Sequence, residues 1–251
     1  SQNMEFGFYL PTHGPLATRQ NLLRISEHAE KLEFDSMVAG DHVIAPINPT
    51  SQYPYSVGSE VPWDSSGEHL EMITELAFLA AATQHIKLVT SVMIVPHRNP
   101  ILTAKMLSTL DVLSEGRLVV GIGVGWLKEE FDALGASHAD RGPVTDEYLR
   151  IFQTLWNQES PEFNGDYYSF SGINFAPKPV KKTGIPIWVG GHTRRAIRRV
   201  VNHGHAWHPD CQTPEYVASM LTYLKDYARE QGRSTSDITI SLKRSLHFTD
   251  I

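Results

Sequence analysis

A parallel α/β fold of the (β/α)8 TIM-barrel type, with insertions, is what this sequence predicts, on three observations. Short β-rich runs alternate with amphipathic helical stretches from end to end. The length, 251 residues, fits an eight-stranded barrel. No linker-like stretch divides the chain. The count reaches seven βα units, so the eighth is expected to be missing from this chain; an open sheet would satisfy the same count. Residues 4–251 are read as one domain, and Ser1, Gln2 and Asn3, ahead of Met4, as a cloning remnant.

Each element has its own signal. Residues 4–10 form a short apolar run ended by the turn residues of 11–14. Leu22, Ile25, Ala29 and Leu32 then recur at helical spacing, opposite Arg19, Glu27, Glu30 and Lys31. Residues 34–40 give the second strand, closed by Asp41 and His42. Residues 43–67, with Pro46, Pro49, Pro54 and Pro62, are too long for an ordinary connection and read as a functional or disordered loop. Leu70, Ile73, Ala77 and Ala80 place a helix over 69–83, and 86–95 is the third strand. Asn99 followed by Pro100 predicts a cap and first turn for the helix carrying Leu102, Met106, Leu110 and Leu113. The fourth strand is 118–122, with helices over 127–134 and 146–157.

Phe163-Asn164-Gly165-Asp166 gives a hairpin signal, with Tyr167, Tyr168 and Phe170 on the return strand. Alternation resumes with a strand at 185–189, a helix at 193–202 and a short strand at Ala206-Trp207. A helix opened by Thr213-Pro214-Glu215 follows, then a last strand at 237–243.

Composition narrows the function. Hydrophobic residues are 41% and charged residues 20%, ordinary globular values that exclude collagen-like, disordered and disulfide-scaffold classes. The single cysteine, Cys211, permits no internal disulfide, and neither a signal-type nor a membrane-spanning apolar run occurs, so a cytoplasmic location is expected. With 22 basic and 28 acidic residues the net charge is −6, which argues against nucleic acid or an anionic membrane as partner and favours a small molecule.

In barrels of this kind the chemistry sits where strands end. Asp41 and His42 follow the second strand, and imidazole exchanges protons near neutrality, with Asp41 able to orient it; loop or helix capping is the alternative. Thr90-Ser91-Val92 puts small polar residues in an apolar strand, where a flat ligand could approach. Gly121, Gly123 and Gly125 close the fourth strand before Trp126. The run G-I-G-V-G-W lacks the G-x-G-x-x-G spacing, which excludes a dinucleotide fingerprint.

Gly190-Gly191-His192-Thr193 leads into a helix bearing Arg194, Arg195, Arg198 and Arg199, a start suited to an anion such as phosphate, although arginines at helical spacing also make a solvated face. His203, His205 and His208 have no metal-site spacing and read better as solvated or pocket-lining groups, so no metal is expected. Cys211 lacks a nucleophile's context, and no G-x-S-x-G elbow exists.

Taken together, F-G-F-Y-L-P, D-S-M-V-A-G-D-H, T-S-V-M-I-V-P-H-R-N-P, L-D-V-L-S-E-G-R, G-I-G-V-G-W and P-I-W-V-G-G resemble the luciferase-like monooxygenase superfamily, and its coenzyme F420-dependent oxidoreductase branch in particular. The resemblance covers about residues 4–243. It implies a (β/α)8 barrel binding F420 or FMN at its C-terminal mouth.

Carried onto this chain, the resemblance makes His42 the catalytic proton-transfer residue and Asp41 its cofactor-contacting neighbour. It puts a cis peptide bond at Ser91-Val92, with Val92 against the central ring and Ile94 lining the pocket. It places Gly123 and Gly125 near the cofactor, and makes Val189, Gly190, Gly191 and His192 the phosphate-binding turn. Gly204-His205-Ala206-Trp207 departs from the family's usual Asp-Gly-Trp.

The activity this implies is hydride exchange between F420 and a small organic substrate, with the cofactor doing the redox chemistry and the protein supplying orientation and protons. The 43–67 loop would cover the mouth. The alternatives are an FMN-dependent monooxygenase using oxygen, served by a flavin reductase, and a non-catalytic flavin-binding protein. A homodimer is compatible with all three.

Overall fold

The computed structural model describes residues 4–54, 66–210 and 212–244. Cys211 and most of the second half of the 43–67 loop lie outside them. The chain forms two compact units, residues 1–186 and 187–251.

The first unit opens with β1 (Gly7–Tyr9), α1 (Arg19–Lys31), β2 (Ser36–Ala39), α2 (Met72–Ala82) and β3 (Lys87–Ile94). After a one-turn 3-10 helix at Val95–His97 come α3 (Pro100–Leu113), β4 (Leu118–Gly123), α4 (Lys128–Leu134) and α5 (Arg141–Asn157). Strands β1 to β4 pair in chain order and in parallel, with Phe8 opposite Met37, Val38 opposite Val89 and Val89 opposite Val119. Helices between successive strands are what parallel pairing requires. β2 is buried at every position, and β3 at all but Lys87 and Val92, as expected of strands covered on both faces.

The core holds Met37, Leu76, Leu88, Leu107, Phe131 and Phe152 at full burial, each contributing about 1.5–3 kcal/mol relative to exposure. Trp156 is buried too, and its indole N–H donates to the Ala104 carbonyl at 3.1 Å, fixing α5 on α3.

Caps set the helix boundaries. The Thr18 hydroxyl accepts from Asn21 N at 3.2 Å, and Asn99 Oδ1 accepts from Ile101 N and Leu102 N at 3.0 and 3.1 Å, with Pro100 in the first turn as expected. Glu71 caps α2 through Ile73 N and Thr74 N, so that helix begins at Met72 rather than at residue 69. α5 begins at Arg141, five residues ahead of the expected 146. Gly142 and Pro143 sit in its first turn, where proline loses no hydrogen bond that the helix would have made.

The hairpin is present but shorter than expected, with β5 (Phe163–Asn164) and β6 (Ser169–Phe170). Tyr167 and Tyr168 belong to its turn and not to the return strand. The buried Glu147 carboxylate draws them there, accepting from the backbone N–H groups of Asp166, Tyr167 and Tyr168 at 2.7, 3.0 and 2.8 Å.

The second unit comprises β7 (Ile187–Gly190), α6 (Arg194–His203), β8 (Ala206–His208), α7 (Pro214–Glu230) and β9 (Thr239–Ile240). Its three strands are parallel, with Trp188 opposite Ala206 and Trp207 opposite Ile240. The last strand is two residues long, not seven. Beyond β9 the chain stays beside β8, Ser241 N donating to the Trp207 carbonyl at 2.9 Å and Lys243 forming a single parallel bridge with Asp210.

The seven principal strands thus alternate with helices in a parallel α/β arrangement. An eighth is not among the described residues. No helix of the described residues is long and apolar enough to cross a membrane.

Candidate functional site

In the first unit the residues just beyond β2, β3 and β4 converge. β2 runs straight into Asp41 and His42, so both side chains leave the sheet at its C-terminal edge. Asp41 is buried, and Arg98 from the segment after β3 clasps it with two bonds, Nη1 to Oδ2 at 2.7 Å and Nη2 to Oδ1 at 2.8 Å. A third bond comes from Ile94 N at 2.9 Å. Burial pushes the Asp41 pKa up, but the guanidinium overrides it and holds the carboxyl below its ordinary value. Arg98 also reaches Glu71 at 2.9 Å, joining the end of β2, the end of β3 and the start of α2.

The carboxylate that orients His42 is therefore not Asp41. It is Glu130 of α4, whose Oε2 lies 3.2 Å from His42 Nδ1. Glu130 is 1% exposed, and its Oε1 accepts from Val43 N at 2.6 Å and Ile44 N at 3.3 Å. Burial pushes Glu130 up and the His42 bond pulls it down, with the net position below the usual carboxylate range. An ionised acceptor at Nδ1 favours the tautomer with a proton there, which leaves Nε2 as the nitrogen that gains and loses protons.

The neighbouring Glu129 accepts from Thr50 N at 2.6 Å, Thr50 Oγ1 at 2.8 Å and Ser51 Oγ at 2.6 Å. These bonds hold it well below its ordinary pKa against a burial penalty that raises it. Consecutive glutamates in one helical turn thus fasten both ends of residues 43–51.

β3 carries the cis bond expected at Ser91-Val92. Register with β4 slips between Thr90 and Met93, and Val92 alone in the second half of the strand is not fully buried. Ser91 is buried, and its hydroxyl hydrogen-bonds that of Tyr9 at the end of β1.

Gly123 and Gly125 act on this seat indirectly. A Cβ on Gly123 would stand 2.6 Å from Val92 Cγ2. One on Gly125, at φ +88°, would stand 2.7 Å from Ile94 Cγ2 and 2.6 Å from the Phe131 ring. The space that the glycines leave is taken by the side chains expected to support a flat ring.

Of the residues singled out from sequence, Asp41, His42, Ser91, Val92, Ile94, Gly123 and Gly125 therefore gather in the first unit. Sequence reasoning missed Glu130, Arg98, Glu71 and Tyr9. The signal for Glu130 was an acid beside Phe131 on a short helix directly after the glycine run. For Arg98 it was the only cation in the segment that follows the third strand.

Val189, Gly190, Gly191 and His192 belong to the second unit. Val189 is fully buried, and Gly191 adopts φ +95° where the chain turns into α6. Thr193 caps that helix, accepting from Ala196 N at 3.3 Å. The Trp207 indole donates to the Gly191 carbonyl at 2.8 Å, and the Tyr216 hydroxyl donates to that of His192. Arg195 and Arg198 are exposed, Arg194 lies 5.0 Å over the Tyr223 ring, and Arg199 is buried. The helix thus presents a mixed face rather than a cluster of four cations.

His205 Nδ1 accepts from Ile187 N at 3.0 Å, and His208 Nδ1 bonds Ser241 Oγ at 2.9 Å. Burial pushes the His208 pKa down to about 4. Both imidazoles serve the packing of this unit.

Comparison with known proteins places the chain in a family. An uncharacterized protein of Mycobacterium tuberculosis is 26% identical over 231 residues, which is 92% of this chain and 75% of that one. An FMNH2-dependent dimethylsulfone monooxygenase of Pseudomonas putida is 28% identical over 203 residues, or 78% of this chain and 53% of the monooxygenase. An F420-dependent secondary alcohol dehydrogenase, 20% identical, superposes with a TM-score of 0.77 over 95% of this chain and 68% of its own, which establishes a common fold. The model for luciferase-like monooxygenases matches residues 4–250, and the chain belongs to that family.

Proposed function

We propose that this chain is a coenzyme F420-dependent oxidoreductase that exchanges a hydride between the deazaflavin and a small organic substrate. The observation that carries the reading is the His42–Glu130 pair at the end of β2. A half-buried imidazole with an ionised carboxylate on Nδ1 is built to give or take a proton at Nε2, as alcohol–carbonyl interconversion demands.

When bound, the deazaflavin supplies the hydride chemistry. The first unit's residues fit a flat ring: Val92 offers apolar surface where the rest of β3 is closed, backed by Ile94 and by the close approach of Gly123. Asp41, locked by Arg98, fixes the backbone that delivers His42 and ties it to Ile94. Residues 43–51, held by Glu129 and Glu130, limit water at the imidazole. In the second unit, the Gly190-Gly191-His192 turn at the start of α6 is suited by itself to a phosphate group.

The Pseudomonas relative supports a second reading, an FMN-dependent monooxygenase that takes reduced flavin from a reductase. Deazaflavin has carbon in place of the ring nitrogen at position five and reacts poorly with oxygen, so the readings separate by cofactor. Purified protein titrated separately with F420 and FMN, followed by ring fluorescence, is expected to respond to F420. Tight FMN binding with no F420 response overturns the proposal. His42→Asn is expected to retain F420 binding and lose turnover. Wild-type protein that turns over no donor would instead indicate a flavin-binding protein.

A further inference from the structure

Two loops outside the flavin seat are joined beside His42. The backbones of His13 and His69 form an antiparallel bridge, and Leu70 N donates to the Thr12 carbonyl at 2.8 Å. The pairing stacks the His13 and His69 rings, with centroids 5.6 Å apart and planes 25° from parallel. It also sets His69 edge-on to His42, again at 5.6 Å, with planes at 76°. All three imidazoles line one recess with Ile44 and Ala45. His42, its side chain 18% exposed, and His69 are both half-buried, and His13 is exposed.

The middle ring is held in a definite tautomer. His69 Nδ1 faces the Leu70 carbonyl at 3.0 Å and must donate to it, so in the neutral ring Nε2 is the basic nitrogen. Its contact with Thr12 Oγ1 is long, at 3.3 Å. Such a ring can receive and release a proton at the same atom without turning over.

We infer that His69 and His13 carry the proton between His42 and solvent. This rests on the reading that His42 exchanges a proton during turnover. One proton moves and no electrons do. Imidazolium His42 gives its Nε2 proton to His69 Nε2, directly or across one water. His69 passes it to His13, and His13 to bulk water, each ring returning to neutrality; resupply runs the same steps backwards. Burial lowers the His69 pKa against the Leu70 carbonyl bond that raises it, and positive charge on His42 or His13 lowers it further, while Asp41 pulls it up, the net position staying below the ordinary imidazole value. His69 is thus a brief station that does not trap the proton.

The test needs neither cofactor nor substrate. In protein labelled with 15N-histidine, exchange of the His42 Nε2 proton with water is measured by NMR saturation transfer. His69→Gln is expected to slow it about tenfold, since glutamine keeps polarity but cannot take up and release a proton, and added imidazole buffer is expected to restore the rate. His13→Asn, at an exposed ring where folding is not at stake, is expected to slow it severalfold. Exchange at the wild-type rate in both variants overturns the relay, as does slowing that imidazole does not relieve. Failure of the catalytic reading is seen separately, as unchanged F420-linked turnover in His42→Asn.

Discussion

Replacing Arg98 with methionine tests how the site is held. In the folded protein Asp41 accepts two bonds from Arg98 and one from Ile94 N. Arg98→Met removes both guanidinium bonds and leaves a carboxylate with 1% side-chain exposure on a single backbone donor. Removing one partner of a buried pair costs about 3–5 kcal/mol, because the stranded charge stays desolvated. The arm to Glu71, a partner 43% exposed, adds less than about 1 kcal/mol.

The pH dependence gives the sign. In the wild type the Asp41 pKa lies below its unfolded value, so its contribution is present above the ordinary carboxylate range and is lost as pH falls through the folded pKa. In the variant only the Ile94 N–H bond and the nearby His97 still oppose burial, and protonation relieves the stranded charge. The deficit should therefore be largest near pH 7 and shrink by about 1 kcal/mol or more towards pH 4.5. Urea unfolding read by hydrogen exchange on first-unit peptides measures both quantities. A deficit under about 1 kcal/mol, or one that does not change with pH, would refute the claim that this ion pair holds the end of β2.

Three further outcomes are expected from side chains already described and from one buried acid. Glu130→Gln keeps an oxygen for Val43 N and Ile44 N but removes the charge that fixes the His42 tautomer, so turnover should fall about ten- to hundredfold with cofactor affinity unchanged; steady-state kinetics and the fluorescence titration separate the two. Glu75 of α2 is buried with no hydrogen-bond partner among the described residues, and burial pushes its pKa up to about 8. Its contribution to stability is complete below the unfolded value of 4.5 and is lost as pH rises towards 8. Glu75→Met should therefore remove about 1 kcal/mol of destabilisation per pH unit across that window, seen as a flatter stability–pH curve. Gly125→Ala must place a Cβ at φ +88° against Ile94 and Phe131, and about 2–4 kcal/mol of stability should be lost in urea unfolding.

The alternation of strands and helices was legible because each rests on local chemistry: apolar runs for strands, stripes at helical spacing, and caps such as Asn99-Pro100 and Thr213-Pro214. Boundaries failed where a distant group decided them. The Glu147 carboxylate moved Tyr167 and Tyr168 out of a strand, and only two residues of the final strand pair regularly. His42 was legible as a proton-exchanging side chain at a strand end. Its true partner was not, because Glu130 stands 88 residues further along and only the fold brings them together. Asp41, adjacent in sequence, was the obvious candidate, but Arg98 captures both of its oxygens.

The two consecutive glutamates of α4 have a consequence for how relatives of this chain could diverge. One holds the backbone next to the imidazole and the other holds Thr50 and Ser51, so residues 45–49 hang between two fixed pegs. Their length and character could change to suit a different guest while the acid–base group stays in register, a division between permanent footing and replaceable span within one short stretch of chain.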